Sequence, residues 1–299
     1  MPDARRASVI LAFTALACLP DDDRPEPGSV FVRAVPSEST ANGFTTNDGW
    51  TLTFDRFVTA LGSVDLDGDP DGADDSCNAY SDARYDWLFD FTVARNEKVG
   101  IVYGLGTCSV EYRFRAPSDD TVLGPGVTND DVAFMRAEAS DAYVEEQRIS
   151  LRVSGQAVRG DESKRFEWIF RQGFEVDRCP NPDEDGYISV LELAGGGEAE
   201  RTIAVRGEEL FRSAPLDDAP IEFNRFAGAD ADMDGDITFE ELALVDAPPS
   251  DDWIDDFEGF DEDEPAVAPV TLADLVYLFS LPRVTRMSGG GACTTEKRG

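Results

Sequence analysis

From Ser29 to Phe211, apolar and polar residues alternate in short runs separated by Gly, Pro, Asn and Asp. Val30-Phe31-Val32, Trp50 to Phe54, Lys98 to Tyr103 and Ser109 to Phe114 are such runs. Ile149 to Val153, Arg165 to Phe170 and Thr202 to Val205 continue the pattern. Period-two alternation of β-branched and aromatic residues, broken at intervals by turn formers, predicts an antiparallel sandwich or barrel-like body. In the second run Trp50, Leu52 and Phe54 share one face and Thr51 and Thr53 the other, which puts the tryptophan in the core. Ala133 to Gln147 reads as a short helix interrupting the sheet. Beyond about residue 215 the apolar spacing shifts towards helices. Phe223 and Phe226 lie three apart, as do Leu242 and Val245, and Thr271-Leu-Ala-Asp274 has the form of a capping box opening an apolar helix from Leu272 to Leu281. The expected fold is mainly β with a C-terminal helical region, α+β overall.

The ends of the chain fall outside this pattern. Arg5 and Arg6 precede an apolar run from Ala7 to Ala17 that closes on Ala15-Leu16-Ala17-Cys18. A basic patch, a short apolar stretch and a small-x-small site predict a secretory signal peptide over 1–17, too short to span a bilayer. Cys18 directly after the cleavage point resembles the lipobox of bacterial lipoproteins, which implies lipidation of that cysteine. Alanine stands where leucine is usual in that motif, so plain secretion stays the alternative. Residues 18–29, charged and Pro-rich, then form a tether ahead of a β-rich domain over 30–211 and the helical region over 212–299. The expected location is the bacterial cell envelope or the extracellular space, with membrane contact only through an N-terminal lipid.

Setting Cys18 aside leaves Cys77, Cys108, Cys179 and Cys293. Four cysteines in an exported chain predict two disulfides with three possible connectivities. Cys77 and Cys108 flank one block of strand-like sequence, which favours Cys77–Cys108 with Cys179–Cys293. The absence of a C-x-x-C pair argues against zinc ribbons and thioredoxin-like chemistry.

Charge narrows the chemistry. The 299 residues carry 61 Asp+Glu against 26 Lys+Arg, a net charge of -35, and no histidine. Such a chain repels phosphate backbones, so nucleic acid is not an expected partner. Without imidazole there is no Ser-His-Asp or Cys-His site and no His-ligated metal. Carboxylate oxygen remains, the ligand that hard divalent cations take.

The acids gather in three loops. Asp230-Ala-Asp232-Met-Asp234-Gly235-Asp236-Ile237-Thr238-Phe-Glu240-Glu241 resembles the twelve-residue calcium loop of the EF-hand family at every key position. The resemblance implies side-chain oxygens from Asp230, Asp232 and Asp234, a backbone carbonyl from Asp236, and Thr238 directly or through water. Glu241 would close the sphere with both oxygens, with Gly235 at the sharp turn. The C-terminal region is then an EF-hand helical region packed on the β body. Asn181-Pro-Asp183-Glu-Asp185-Gly186-Tyr187-Ile188-Ser189-Val-Leu191-Glu192 aligns with the same loop, giving Asn181, Asp183, Asp185, Tyr187 and Glu192 as candidate ligands. Phe174 to Pro180 before it looks like a strand end, however, so this is a half-loop hung on a sheet. The third cluster, from Asp65 to Asp75, looks like the Asp/Gly-rich loops of thrombospondin-type repeats, with Asp67, Asp69 and Asp71 as candidate chelators; a solvated hairpin tip is the alternative. Asp251 to Glu264 packs nine acids among Trp253, Ile254, Phe257 and Phe260, an amphipathic helix or an acidic docking segment.

These readings imply an exported calcium-binding protein, not an enzyme, in which calcium stabilises a surface binding or structural module for an unidentified protein or surface ligand. A calcium-responsive sensor or partner-docking protein is one alternative. A carboxylate-dependent extracellular hydrolase is another, since paired acids can run glycoside hydrolysis.

Overall fold

The computed structural model describes residues 25–72, 76–214, 216–248 and 271–298. The expected signal peptide, Cys18 and the Asp251–Glu264 segment lie outside the described residues, as do Asp74 and Asp75 of the third cluster.

Alternation produces strands as expected. In chain order the elements are β1 (Gly28–Pro36), α1 (Glu38–Asn42), β2 (Phe44–Thr45), β3 (Thr51–Gly68), β4 (Cys77–Ser81), β5 (Ala83–Asp90), β6 (Glu97–Arg115), β7 (Val122–Leu123), α2 (Asn129–Met135), β8 (Leu151–Arg159), β9 (Glu162–Phe170), β10 (Gly173–Asp177), β11 (Val190–Leu193) and β12 (Glu198–Val205). A 3₁₀ turn (Gly207–Phe211), α3 (Asn224–Ala227), β13 (Asp236–Ile237), α4 (Phe239–Leu242), α5 (Leu272–Asp274), β14 (Thr285–Met287) and β15 (Thr294–Arg298) complete the described chain. All the strands belong to one curled sheet whose main path runs β13-β9-β8-β3-β6-β1-β12-β14. Most pairs are antiparallel; β1 with β12, β5 with β7 and β13 with β9 are parallel.

Two long strands curl the sheet by changing partner along their length. β3 pairs β8 from Thr51↔Val158 to Thr59↔Leu151, then β6 from Ala60↔Arg115 to Gly68↔Cys108. Its register shifts between Gly62 and Asp65, where Ser63 takes a positive φ of 46°. Such a bulge bends a strand and raises its twist. β6 pairs β1 through its first half and β3, β10 and β11 through its second. Lys98 to Tyr103 and Ser109 to Phe114 are therefore one strand and not two. The intervening Gly106 (φ 91°) marks a close approach: a Cβ there would lie 2.3 Å from the carbonyl oxygen of Ser76.

The core is aromatic. Trp50, Phe57, Phe166 and Trp168 from the sheet meet Phe211, Phe223 and Phe226 from the segment that follows it. Ring centroids are 4.9 Å apart for Phe166–Trp168, 5.2 Å for Trp50–Phe223 and 5.2 Å for Phe211–Phe226. A smaller cluster of Val58, Ala60, Leu88, Met135 and Ile149 covers the opposite side of β3. Beneath the aromatic layer, the buried Glu209 carboxylate is bonded by Arg212 and lies 3.0 Å from Arg206 Nη2. Pairing of this kind is what permits a charge to stay buried.

The helical expectations need correction. Among the described residues a C-terminal helical EF-hand region is not shown: α3 and α4 are single turns of four residues, and β13, β14 and β15 join the sheet. Gly228 ends α3, and α4 stops shortly before Pro248, which cannot continue a helix. Helices this short owe their stability to packing, here of Phe223, Phe226 and Leu242. The helix expected over 133–147 instead spans Asn129–Met135, because Thr128 and Asp131 form a reciprocal capping box that sets its start. Beyond it the chain forms a turn in which Asp141 Oδ1 accepts from the amides of Tyr143 and Val144. The expected capping box of Thr271 and Asp274 does form, and α5 runs on into a π-helical turn (Leu275–Ser280).

The disulfides are Cys77–Cys108 and Cys179–Cys293. The first joins β4 to β6. The second ties the chain after β10 to the segment before β15, which pairs with β10 itself. Closed loops of this kind typically stabilise a fold by about 2–4 kcal/mol. Two disulfides fit an oxidising, exported environment. Among the described residues no helix is long and apolar enough to cross a membrane.

Candidate metal centre

Loop 230–241 is built by its own acids. Asp232 Oδ1 accepts from the Asp234 amide (3.2 Å) and Asp234 Oδ1 from the Asp236 amide (2.7 Å). Each carboxylate thus bonds the backbone two residues on and coils the chain. Met233 (φ 63°) and Gly235 (φ 87°) supply the left-handed turns. Asp230 Oδ2 accepts from the Gly235 amide at 3.1 Å. The closing acid does not face the others. Glu241 Oε1 accepts from the Ala231 amide (3.0 Å), while Oε2 accepts from the amide and hydroxyl of Thr238, the N-cap of α4 (2.9 and 3.0 Å).

The sheet holds the loop in place. β13 lies parallel to β9 with Asp236 opposite Arg165 and Ile237 opposite Phe166. The Arg165 amide donates to the Gly235 carbonyl (2.8 Å), and Trp168 Nε1 donates to the Ile237 carbonyl (2.9 Å). Ile237 is buried in the main core. The Asp236 side chain faces outward to a two-pronged Arg165 contact at 2.6 and 2.8 Å.

Among the described residues, Asp230, Asp232 and Asp234 are the one group of acids whose ligand oxygens converge, all within 4.8 Å of one another. Calcium takes oxygens at about 2.3–2.6 Å, so ligands on opposite sides of one ion stand about 4.6–5.2 Å apart. The spacing fits. Asp230 is the buried member: its side chain has no exposure and its Oδ1 has no hydrogen-bond partner. A buried oxygen without a donor is costly unless something else satisfies it. On its other oxygen, Oδ2, sits the Lys164 ammonium of β9, 2.5 Å away. That bond holds the Asp230 carboxyl below its ordinary pKa, as the Arg165 pair does for Asp236 and the Thr238 amide for Glu241.

The second loop is arranged differently. Asn181 donates its amide to the Gly186 carbonyl (2.9 Å), and Asn181 Oδ1 accepts from the Asp183 amide (3.1 Å), giving a tight turn with Gly186 at φ 106°. Pro180 and Tyr187 bridge its base. Glu192 lies on β11 opposite Thr107 and accepts that hydroxyl at 3.0 Å, so it does not close the loop. Asp183 and Asp185 are exposed and are not gathered with it.

In the third cluster Asp67 ends β3, where its Oδ1 accepts from the Gly68 amide (2.8 Å), and Asp69 Oδ1 accepts from the Asp71 amide (3.1 Å). At the tip Asp69 is half-buried and Asp71 exposed. Asp67 belongs to a feature that the sequence reading missed. It lines a cleft of about 360 Å³ with Glu111 of β6, Glu175 and Asp177 of β10, and Glu296 of β15. Strand register sets acids directly against each other, Asp65↔Glu111 and Glu175↔Glu296. Arg113 and Arg298 both reach Glu175, at 3.0 and 2.9 Å. Burial, then the neighbouring Asp65, pushes the Glu111 carboxyl up to about 8; burial and the charge of Glu175 push Asp65 up to about 6. Asp177 is also raised by burial. Glu111 is thus favoured in its protonated form near neutral pH, whereas Asp230, Asp236 and Glu241 of the loop are favoured as carboxylates. Acids inside strands, where they are ordinarily depleted, were the available signal.

No protein-family model, curated protein or solved structure matches the chain.

Proposed function

We propose that loop 230–241 is a calcium site of the EF-hand type, and that the protein is an exported, lipid-anchored module stabilised by calcium. The observation that carries this reading is the convergence of one oxygen each from Asp230, Asp232 and Asp234 within 4.8 Å, with the buried Asp230 carboxylate keeping one oxygen, Oδ1, without a donor. Asp236, Thr238 and Glu241 follow in loop order; Glu241 is bonded to the Ala231 and Thr238 amides and would have to turn from them to close the sphere. Bound calcium would supply the positive charge that offsets repulsion among the three carboxylates. It would add to folding free energy by mass action, since only the folded loop gathers them. The lipid anchor rests on the Cys18 motif, and the compartment on the two disulfides.

Stabilisation accounts for the packing better than sensing does. A sensor exposes an apolar groove when calcium binds. Here Phe223, Phe226 and Leu242 beside the loop and Ile237 within it are already buried in the main core, although Met233 and Leu244 are exposed. The test is thermal melting in calcium and in chelator. Calcium is expected to raise the melting temperature of the native sequence, and Glu241→Gln to remove most of that rise. Identical curves with and without calcium would overturn the proposal.

A further inference from the structure

The calcium reading of loop 230–241 leads to a second residue that the loop motif does not contain. Lys164 reaches the site from β9, 66 residues away in sequence, and its ammonium lies 2.5 Å from Asp230 Oδ2. Its neighbour Arg165 is in register with Asp236, and the Arg165 amide is bonded to the Gly235 carbonyl. The strand pairing therefore fixes the Lys164 backbone beside the loop's turn. Asp230 is the most buried of the three converging acids, and its second oxygen has no donor. Lysine is a compact charge on a flexible stem, able to swing away, where arginine would clamp both oxygens.

We infer that Lys164 is a built-in counter-ion that competes with calcium for Asp230. Without calcium the ammonium neutralises the buried carboxylate and holds the loop folded. Calcium on Oδ1 would place a second positive charge against the carboxylate whose Oδ2 already holds the ammonium, and their repulsion at this short range drives the lysine off or weakens the ion's binding. The lysine thus sets the site to a weak affinity, so that it fills only where calcium is abundant. Extracellular sites of this type typically bind at about 10⁻⁴–10⁻³ M.

The test is calorimetric titration of the full chain with calcium chloride, comparing the native sequence with Lys164→Met and Lys164→Gln. The glutamine variant keeps a hydrogen-bond donor for Asp230 without the charge, and serves if the methionine variant does not fold. Removal of the ammonium should tighten calcium binding by about tenfold or more. The metal-free variants should melt lower than the native sequence and gain more from calcium. A variant that binds calcium with native or weaker affinity would overturn the counter-ion role and leave the calcium site standing. Absence of binding by the native sequence and by both variants would instead remove the calcium site. Binding only in the variants would overturn both the tuning role and a native calcium site, because the lysine would then block the loop outright.

Discussion

Loop 230–241 and the cleft at Glu111 are both crowded with carboxylates, yet they treat negative charge in opposite ways. In the loop, backbone amides answer every acid that turns inward, and Lys164 and Arg165 cover Asp230 and Asp236. Its shifted carboxyls all move down. In the cleft, acids meet acids across strands: Arg113 and Arg298 reach Glu175, Arg298 also reaches Glu296 and Arg178 reaches Asp177, while burial among like charges governs Glu111. The shifted carboxyls in it, Glu111 and Asp177, and Asp65 opposite Glu111 all move up. A charge count cannot separate these cases. What separates them is that cations and main-chain donors point at the loop's oxygens, whereas the strand acids are buried among one another.

The largest effect should come from cutting the loop off from the core. Ile237→Ala removes a buried side chain from the strand that seats the loop and should cost about 2–5 kcal/mol. Chemical denaturation would read that loss, and the calcium-induced rise in melting temperature should shrink with it. The cleft should keep its pH response in this variant. Retention of the full calcium response would show that the loop does not depend on β13.

Next comes pH. Glu111 binds its proton more tightly folded than unfolded, so its contribution is complete below its ordinary pKa near 4.5 and is lost as pH rises towards about 8. Asp65 contributes in the same sense up to about 6. The melting temperature should therefore decline between about pH 5 and pH 8, and Glu111→Gln should flatten the decline, raising the value at pH 8 by roughly 2–4 °C. The loop acts with the opposite sign. Asp230, Asp236 and Glu241 are held below their ordinary values, so their contribution is present at neutral pH and is lost only as pH falls below about 4. If Glu111→Gln left the neutral-pH slope unchanged, the contrast between the two regions would fail.

The smallest effect belongs to Arg165→Gln. The Arg165–Asp236 pair is exposed to solvent on both sides, and pairs of that kind contribute little. No measurable change in melting temperature or calcium affinity is expected, in contrast to Lys164 one residue earlier.

Much of this was legible in sequence, and the gaps have physical causes. Alternation marks the strands because one face of each is buried, as at Thr51 to Leu52 and Leu151 to Val153. It divides β6 in two because Gly104 and Gly106 read as turn formers, while in the fold they leave room for β4 to cross closely. The helices beside the loop look longer in sequence than they are, since spacing such as Phe223 to Phe226 records what is buried and not where a helix stops. The loop motif is local, so its carboxylates stand out by spacing alone. Lys164 does not, because only the pairing of β9 with β13 brings it there. Glu111 is hidden for a related reason. Within Ser109-Val110-Glu111 it is an ordinary outward position until the register of β3 and β10 surrounds it with acids.

The most direct test of the central claim is a calcium titration of chelator-treated protein by calorimetry, repeated on Asp230→Asn. Asp230 is the one converging acid that is buried, so the account predicts a saturable site in the native sequence that the substitution abolishes. Absence of binding heat, or equal heat in both proteins, would contradict it.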